Sequence, residues 1–523
     1  MEHRKINKMN TAKGKKGLAA FLFSRIFVFM LMVVIQVFLF ILIAYAASYF
    51  KYLNWVIVIL QILLVVYIVN DKSDPTMKLV WILFITFAPA LGTMLYLYVR
   101  LQPGSIILKK RLENIDIKSE RYLTMEPKLY NDLQILDKQT ASLAKYIYDN
   151  TGCPVYRNTE VEYFKCGEEK YKAIVEQIEE ATDFIFMEYF IIEEGRVWNS
   201  ILRLLERKVQ QGVEVRVMYD GLCSLTKLPI GYFKKLRAKG IKSKPFAPAR
   251  PFITTQQNNR DHRKILVIDG KVAFTGGINL ADEYMNVIDR FGYWKDTAVM
   301  IKGDAAKSFT LLFLQMWNVS EKTIGNFDRY LNVKCDVFKP TSAYVIGYGD
   351  NPFGDERIGE SVYLHIINTA KKYVHIVTPY LVIDNVMMSA LKFAAKRGVD
   401  VKIIMPGIPD KAYAYCVART YYDELIEAGV EIYEYTPGFT HAKMFISDDE
   451  KATVGTINLD YRSLFLHFEN GCFIYKSESI IDIEEDYQDM LSRSKKVSLV
   501  ECKNRPLYYK ACGKLLRILS PIM

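Results

Sequence analysis

Two short stretches of this 523-residue chain carry the same set of reactive side chains. In NNRDHRKILVIDGKVAFTGGINL, His262 and Lys264 stand two residues apart and Asp269 follows; in THAKMFISDDEKATVGTINL, His441, Lys443 and Asp448 repeat that spacing at a constant offset of 179 residues. Residues i and i+2 of a strand point to one face, so each stretch sets an imidazole beside an ammonium at the mouth of an otherwise apolar strand. Imidazole titrates near neutrality, so one ring can be a neutral nucleophile while the other is a protonated acid. Two lysines neutralise a tetrahedral anion and the charge that develops on attack. Asn279 and Asn458 each follow their histidine by 17 residues and offer amide donors to the same oxygens. The small pairs GG and GT before them let backbone approach an anion closely. Asp269 and Asp448 complete the catalytic motif, but strand parity turns them to the opposite face, at turns that Asp favours, as architectural supports. The substrate this set fits is a phosphodiester, and no metal ligands or cofactor are evident in it.

The elements around these residues are themselves repeated. QQGVEVRVMYDG, ending at Gly221, matches KRGVDVKIIMPG, ending at Gly407, each a helix stop followed by a buried strand. Upstream, FIFMEYFI is echoed by HIVTPYLV. Apolar runs alternate with amphipathic stretches such as VWNSILRLLERKVQQG, so helices pack on sheets. The expected fold is α/β: two lobes of mixed sheet related by a pseudo-dyad, at 151–330 and 331–523, with the two strand mouths facing each other across the seam. Residues 101–150 read as a juxtamembrane helical linker and 1–100 as a membrane-anchoring helical region.

That last reading rests on three uncharged segments, Ile26–Phe50, Tyr52–Asn70 and Leu79–Val99, each near the ~20 apolar residues that cross a bilayer. Residues 1–100 hold eleven Lys/Arg against three Asp/Glu, +8 of the net +11. A nucleic-acid protein carries its basic excess on the folded domain; here it flanks apolar segments, which suits an anionic membrane surface. Positive charge before the first segment and after the third (Arg100, Lys109, Lys110, Arg111) places both on the cytoplasmic side. That requires an even number of crossings, with the third segment, broken by Pro89 and Gly92, re-entrant or interfacial. Eight scattered cysteines without a CxxC pair read as thiols of a reducing compartment.

The doubled HxKxxxxD motif, each followed by GGxN or GTxN, resembles the phospholipase D superfamily and, with FAPALGTMLYLYV, MEYFII, WKDT and the apolar C-terminus LLRILSPIM, bacterial cardiolipin synthases within it. The resemblance implies metal-free, two-step transfer through a phosphohistidine between two phosphatidylglycerol molecules, giving cardiolipin and glycerol. It implies a multi-pass protein of the bacterial inner membrane with its lobes on the cytoplasmic side. It also implies a carboxylate further along each lobe that orients an imidazole, at Asp296 and Glu469, and it favours His262 as the nucleophile. Rival readings are a membrane-bound phospholipase D, a transferase using another donor such as phosphatidylethanolamine, a membrane-tethered nuclease and a lipid-binding scaffold.

The remaining features read more plainly. His365, His375 and His467 are expected to be structural. Glu188 and Arg462 are divided between a pocket role and a structural one. The Tyr-rich run KAYAYCVARTYYDELIEAG reads as one amphipathic helix. The longer first-lobe loop PFAPARPF, with Phe246, Arg250 and Phe252, suits a rim in contact with lipid.

Overall fold

A computed structural model of the chain describes residues 51–101, 103–248, 258–335 and 342–522, with scattered positions between 30 and 45. Beyond residue 158 the β-branched and aromatic runs pair into two large sheets. The first comprises β1 (Thr159–Phe164), β2 (Phe184–Tyr189), β3 (Glu214–Asp220), β4 (Lys242–Phe246), β5 (Lys264–Ile268), β6 (Val272–Gly276) and β7 (Ala298–Gly303), in the order β1-β7-β6-β5-β2-β3-β4. The second comprises β8 (Tyr344–Asp350), β9 (Tyr373–Val377), β10 (Asp400–Pro406), β11 (Glu431–Tyr435), β12 (Met444–Ser447), β13 (Lys451–Gly455), β14 (Glu469–Tyr475) and β15 (Ser494–Lys496). Its order, β8-β14-β13-β12-β9-β10-β11-β15, repeats the first and adds one antiparallel edge strand. In both, the strand that follows the motif histidine runs antiparallel to its neighbours on either side, β5 between β2 and β6, β12 between β9 and β13. The repeat in sequence is therefore a repeat in topology.

The motif aspartates explain the hairpins. Asp269 and Gly270 adopt φ of 52° and 67°, and Asp448 and Asp449 of 57° and 58°, the left-handed conformation that tight hairpin turns require. Each carboxylate then accepts backbone N–H groups at the start of the neighbouring strand: Asp269 from Thr182, Asp183 and Phe184, and Asp448 from Lys371, Lys372 and Tyr373. They sit at the far end of the strand from the histidines.

The lobes share one core. Helix α5 (Ala306–Asn318) leaves the first lobe and is buried at almost every position, packing on β2, β5 and β6 of one sheet and on β8 of the other. Phe313 stacks on Phe186 with centroids 4.7 Å apart. Burying a side chain of that size contributes roughly 1.5–3 kcal/mol, so one helix stabilises both sheets. Two short connections complete the seam. Tyr293–Lys295 runs parallel to Gly438–Thr440, and Asp261 bridges Phe468.

The N-terminal region departs from the sequence expectation. Helices α1 (Lys51–Asn70), α2 (Pro75–Phe87) and α3 (Pro89–Arg100) pack together. The Leu79–Val99 segment is two helices, because Pro89 lacks an N–H and holds Ala88 out of helical geometry (φ −131°, ψ 72°). Gly92 lets α3 approach α2; a Cβ there would lie 2.7 Å from the Phe84 carbonyl oxygen. Among the described residues no helix is long and apolar enough to cross a membrane, so the transmembrane, multi-pass reading of 1–100 is not supported. Most of Ile26–Phe50 lies outside the described residues. α1 does expose a broad apolar surface that includes Trp55, Ile59, Leu63 and Val66, and such surfaces mark interaction sites.

The 101–150 stretch is helical and docked. α4 (Pro103–Ser119) lies on α5, where Gln315 donates to Ser119 Oγ at 2.9 Å. Arg111, expected among headgroups, turns inward and donates to the carbonyls of Asn318 and Glu321 at 3.2 and 2.7 Å. The Tyr-rich run is two short helices, Ala412–Ala418 and Tyr422–Glu427. Phe246, expected on a lipid-facing rim, is buried and packs edge-on against Phe468 at 5.5 Å; Arg250 and Phe252 lie outside the described residues.

Candidate active site

His262 and His441 line one cavity of about 700 Å³ at the seam between the lobes. Each is 7% exposed. Each precedes its strand, and the seam register fixes it by its own backbone. His262 N donates to Phe468 O at 2.9 Å, and His441 N donates to Lys295 O at 2.7 Å. The residue after each of those acceptors is a carboxylate. Glu469 Oε1 lies 2.9 Å from His262 Nδ1, and Asp296 Oδ2 lies 2.7 Å from His441 Nδ1. The orienting carboxylates thus cross the seam, each lobe serving the other's imidazole. With Nδ1 held by a carboxylate, the free ring nitrogen is Nε2, the tautomer a nucleophile or proton carrier needs.

Lys264 and Lys443 are buried behind their histidines. The Lys264 ammonium donates to the His262 carbonyl at 2.6 Å, and Lys443 donates to the His441 carbonyl. Burial lowers Lys264 to about 8 and Lys443 to about 7, with Glu469 and Asp296 acting to hold the protons on. Burial, and then Lys443, lowers His441 to about 4. His262 is driven well below the ordinary imidazole range, first by burial and then by Lys264 and His467. Burial raises Glu469 well above the carboxylate range. All these shifts express one condition, a charged cluster removed from water. An anion placed among the cations would reverse them for lysine and histidine.

The two carboxylates are supported differently. A Cβ on Gly277 would lie 2.0 Å from Asp296 Oδ1, so this glycine makes room for the carboxylate, where the sequence suggested room for a substrate anion. At the equivalent position of the second lobe, Thr456 Oγ1 donates to Glu469 Oε2 at 2.5 Å.

Asn279 and Asn458 line the cavity, but their amides have local work. Asn279 accepts from Ile191 N at 3.0 Å and donates to the Tyr284 hydroxyl at 2.9 Å; Asn458 donates to Ser463 at 3.0 Å, and its Oδ1 is buried without a partner. The structure does not bring Asp269 and Asp448 to the cavity, since both are occupied at the hairpin turns. Glu188 is buried in β2 with Arg263 at 4.0 Å and does not line it either. Arg462 does, with Arg260, Lys227, Arg290 and Lys411 and the carboxylates Glu283, Asp410 and Asp460; Lys227 and Arg290 pair with Glu283, and the wall keeps a cationic excess.

One residue read as structural belongs here. His467 lines the cavity, its ring centroid 5.6 Å from that of His262 and its Nδ1 3.7 Å from Glu469 Oε1. Neither of its nitrogens has a hydrogen-bond partner. The signal was its i, i+2 spacing from Glu469, the spacing that pairs His262 with Lys264. His375, by contrast, stacks between Tyr373 and Tyr487 and bonds Glu484, and His365 packs on Phe473. Among the described residues, His262, His467 and Glu469 are the one set whose ligand atoms could hold a metal ion, within 4.8 Å of one another. Glu469 is already committed to His262, and the acid–base work below needs no ion there.

Comparison with known proteins agrees with this geometry. The family described as cardiolipin synthase, PLD-like domain, matches residues 174–317 and 363–491, and the phospholipase D-nuclease N-terminal family matches 59–100. An uncharacterized protein of Streptococcus mutans is 47% identical over 88% of this chain and 99% of its own length. The cardiolipin synthase of Alkalihalophilus pseudofirmus is 34% identical over 87% of this chain and 90% of its own, and that of Listeria monocytogenes is 32% identical over 90% and 99%. Among solved structures, a phosphatidylserine synthase of Haemophilus influenzae superposes with a TM-score of 0.56 at 14% identity, covering 74% of this chain and all of its own, a likeness of fold. With both halves of the domain matched and its histidines joined in one cavity, the chain belongs to the cardiolipin synthase family of phospholipase D-like proteins.

Proposed function

We propose that this protein is a phosphatidyltransferase that makes cardiolipin and glycerol from two molecules of phosphatidylglycerol. The observation that carries the reading is the pair of imidazoles in one cationic cavity, each Nδ1 held by a carboxylate from the opposite lobe. His262, held well below the ordinary imidazole range by burial, stays neutral and attacks phosphorus through Nε2. The P–O bond to glycerol breaks, and His441, protonated from solvent because the bound phosphodiester favours the imidazolium, delivers that proton to the departing oxygen. The same imidazole then removes the proton from the terminal hydroxyl of a second phosphatidylglycerol. That oxygen attacks phosphorus, the P–N bond breaks and cardiolipin leaves. Covalent capture divides one difficult displacement into two easier ones, and acid–base help of this kind supplies ~10²–10⁴-fold. Lys264, Lys443 and the wall cations stabilise the charge on the phosphoryl oxygens.

The apolar N-terminal helices hold the lobes at the bacterial cell membrane, on the cytoplasmic side where flanking Lys/Arg favour anionic lipid. α2 reaches the cavity rim: Thr76 lies 3.2 Å from the hydroxyl of Tyr461, which lines the cavity. A second lipid at the rim then meets the intermediate at high effective concentration, in competition with water.

The test is incubation of the purified chain with labelled phosphatidylglycerol alone, in excess chelator. Cardiolipin and glycerol in equal amounts are expected. Phosphatidic acid as the main product would make the protein a hydrolase, and dependence on added phosphatidylethanolamine would name another donor. Phosphate label trapped on the His441 peptide would reverse the two histidine roles.

A further inference from the structure

The last helix of the chain is more apolar on its outer face than on its inner one. α6 (Leu507–Leu519) packs on the helix Ala412–Ala418, where Gly513 permits close approach; a Cβ there would lie 2.9 Å from the Cys416 carbonyl oxygen. Tyr509, Gly513, Leu516 and Ser520 face the body of the protein. The adjoining outer face carries Tyr508, Cys512, Leu515 and Leu519, at i, i+4, i+7 and i+11, which form a single helical stripe, with the exposed Cys512 at its inner border beside Cys416. Tyr508 is 77% exposed and Leu515 65%. Leu507 and Ile518 widen the stripe on one side and are exposed as well. Lys510 and Lys514 run one turn apart along that same edge.

A stripe of exposed leucines ending in water loses the burial free energy that large apolar side chains otherwise supply. Two observations say what covers it. First, residues 502–523 hold five Lys/Arg and no Asp/Glu. An apolar face bordered by cations is the pattern of a helix lying in the headgroup region of an anionic bilayer. Two such faces from separate copies would repel each other. Second, the helix that carries the stripe ends against the apolar helices of the N-terminal region and at the cavity. The turn Ser520–Ile522 that ends α6 packs on α2, and Ser520 itself lines the cavity. The helix Ala412–Ala418, on which α6 sits, supplies Tyr413, Ala414 and Val417 to the cavity wall.

We propose that α6 is an interfacial membrane helix, with Tyr508, Cys512, Leu515 and Leu519 immersed in an anionic bilayer, and that it holds one side of the cavity mouth at the lipid surface while α2 holds the other. The bilayer contact stands without the transfer reaction; only its consequence for substrate capture rests on the proposed function.

Cys512 is an exposed thiol on the stripe itself, whereas Cys153, Cys223, Cys416, Cys472 and Cys502 are buried. After Cys166→Ser and Cys335→Ser, an environment-sensitive nitrobenzoxadiazole label on Cys512 of the full chain reports the contact directly. In vesicles containing phosphatidylglycerol the emission is expected to shift to the blue and to be quenched by lipids brominated on their acyl chains. A label that stays open to aqueous iodide overturns the proposal. So does burial that depends on the protein-to-lipid ratio, because a second copy then covers the stripe. In the paired variant Leu515→Glu, Leu519→Glu, turnover of vesicle-borne phosphatidylglycerol is expected to fall about tenfold. Turnover of a short-chain, water-dispersed analogue is expected to stay within about twofold of the parent. Equal effects on both substrates, in either direction, overturn the proposal. A blue-shifted label in a chain that makes no cardiolipin would leave the helix assignment standing and remove the transfer reaction.

Discussion

At the scale of single residues, the arrangement turns on two hydrogen bonds, Glu469 to His262 and Asp296 to His441. Replacing either carboxylate by its amide keeps the shape but withdraws the charge that stabilises an imidazolium. Glu469→Gln and Asp296→Asn should each lower kcat by ~10²–10⁴-fold with little change in KM, measured by release of labelled glycerol. Loss confined to KM would move these groups from proton handling to binding. The lysines predict the alkaline behaviour. Lys443, at about 7, and Lys264, at about 8, lose their protons as pH rises through that range, and the cavity then loses the charge that attracts a phosphodiester. kcat/KM should therefore fall from about pH 7 upward. A bound anion holds the protons on, so the fall in kcat should lie at higher pH. Lys443→Arg, charged throughout, should move the fall in kcat/KM to higher pH; a profile unchanged by that substitution would assign the limb to another group.

Elements decide how those residues meet. His262 stands before β5 and His441 before β12, and their backbone N–H groups bond into the other lobe next to the partner carboxylates. A one-residue slip of either seam connection would turn each carboxylate away from its ring. The Gly277 contact with Asp296 tests this support. Gly277→Ala places a methyl group on the carboxylate and should cost about 1–3 kcal/mol of stability through overpacking. Activity should fall as far as in Asp296→Asn, because the imidazole of His441 loses its orientation. Thr456→Ala removes the 2.5 Å bond to Glu469, a charged-group hydrogen bond of ~1.5–3 kcal/mol, and should act through His262 instead. Phospho-peptide trapping from the two variants separates the effects.

For the whole molecule, the shared core makes the lobes one unit. α5 belongs to the first lobe in sequence but covers β8 of the second, and each histidine lacks its carboxylate unless the other lobe is present. Residues 1–330 and 331–523 produced separately should each show no transfer and low thermal stability. Co-expression should restore both together, as judged by cardiolipin content in a host lacking the activity. Activity from either half alone would remove the crossed pairing from the mechanism.

What could be read from the chain alone was whatever depends on short range. The doubled motif, the alternation of strands and helices, the turns at Asp269 and Asp448 and the apolar N-terminal segments all arise from residue type and local spacing. Long-range pairing decided the rest. That Asp296 serves His441 and Glu469 serves His262, that His467 joins the cavity and that Phe246 is packed inside follow from contacts between residues 145 to 222 positions apart. No periodicity encodes these, because a carboxylate is written the same way whichever lobe it faces. Only burial of both sheets against shared helices brings the two halves close enough for one lobe's acid to hold the other's base.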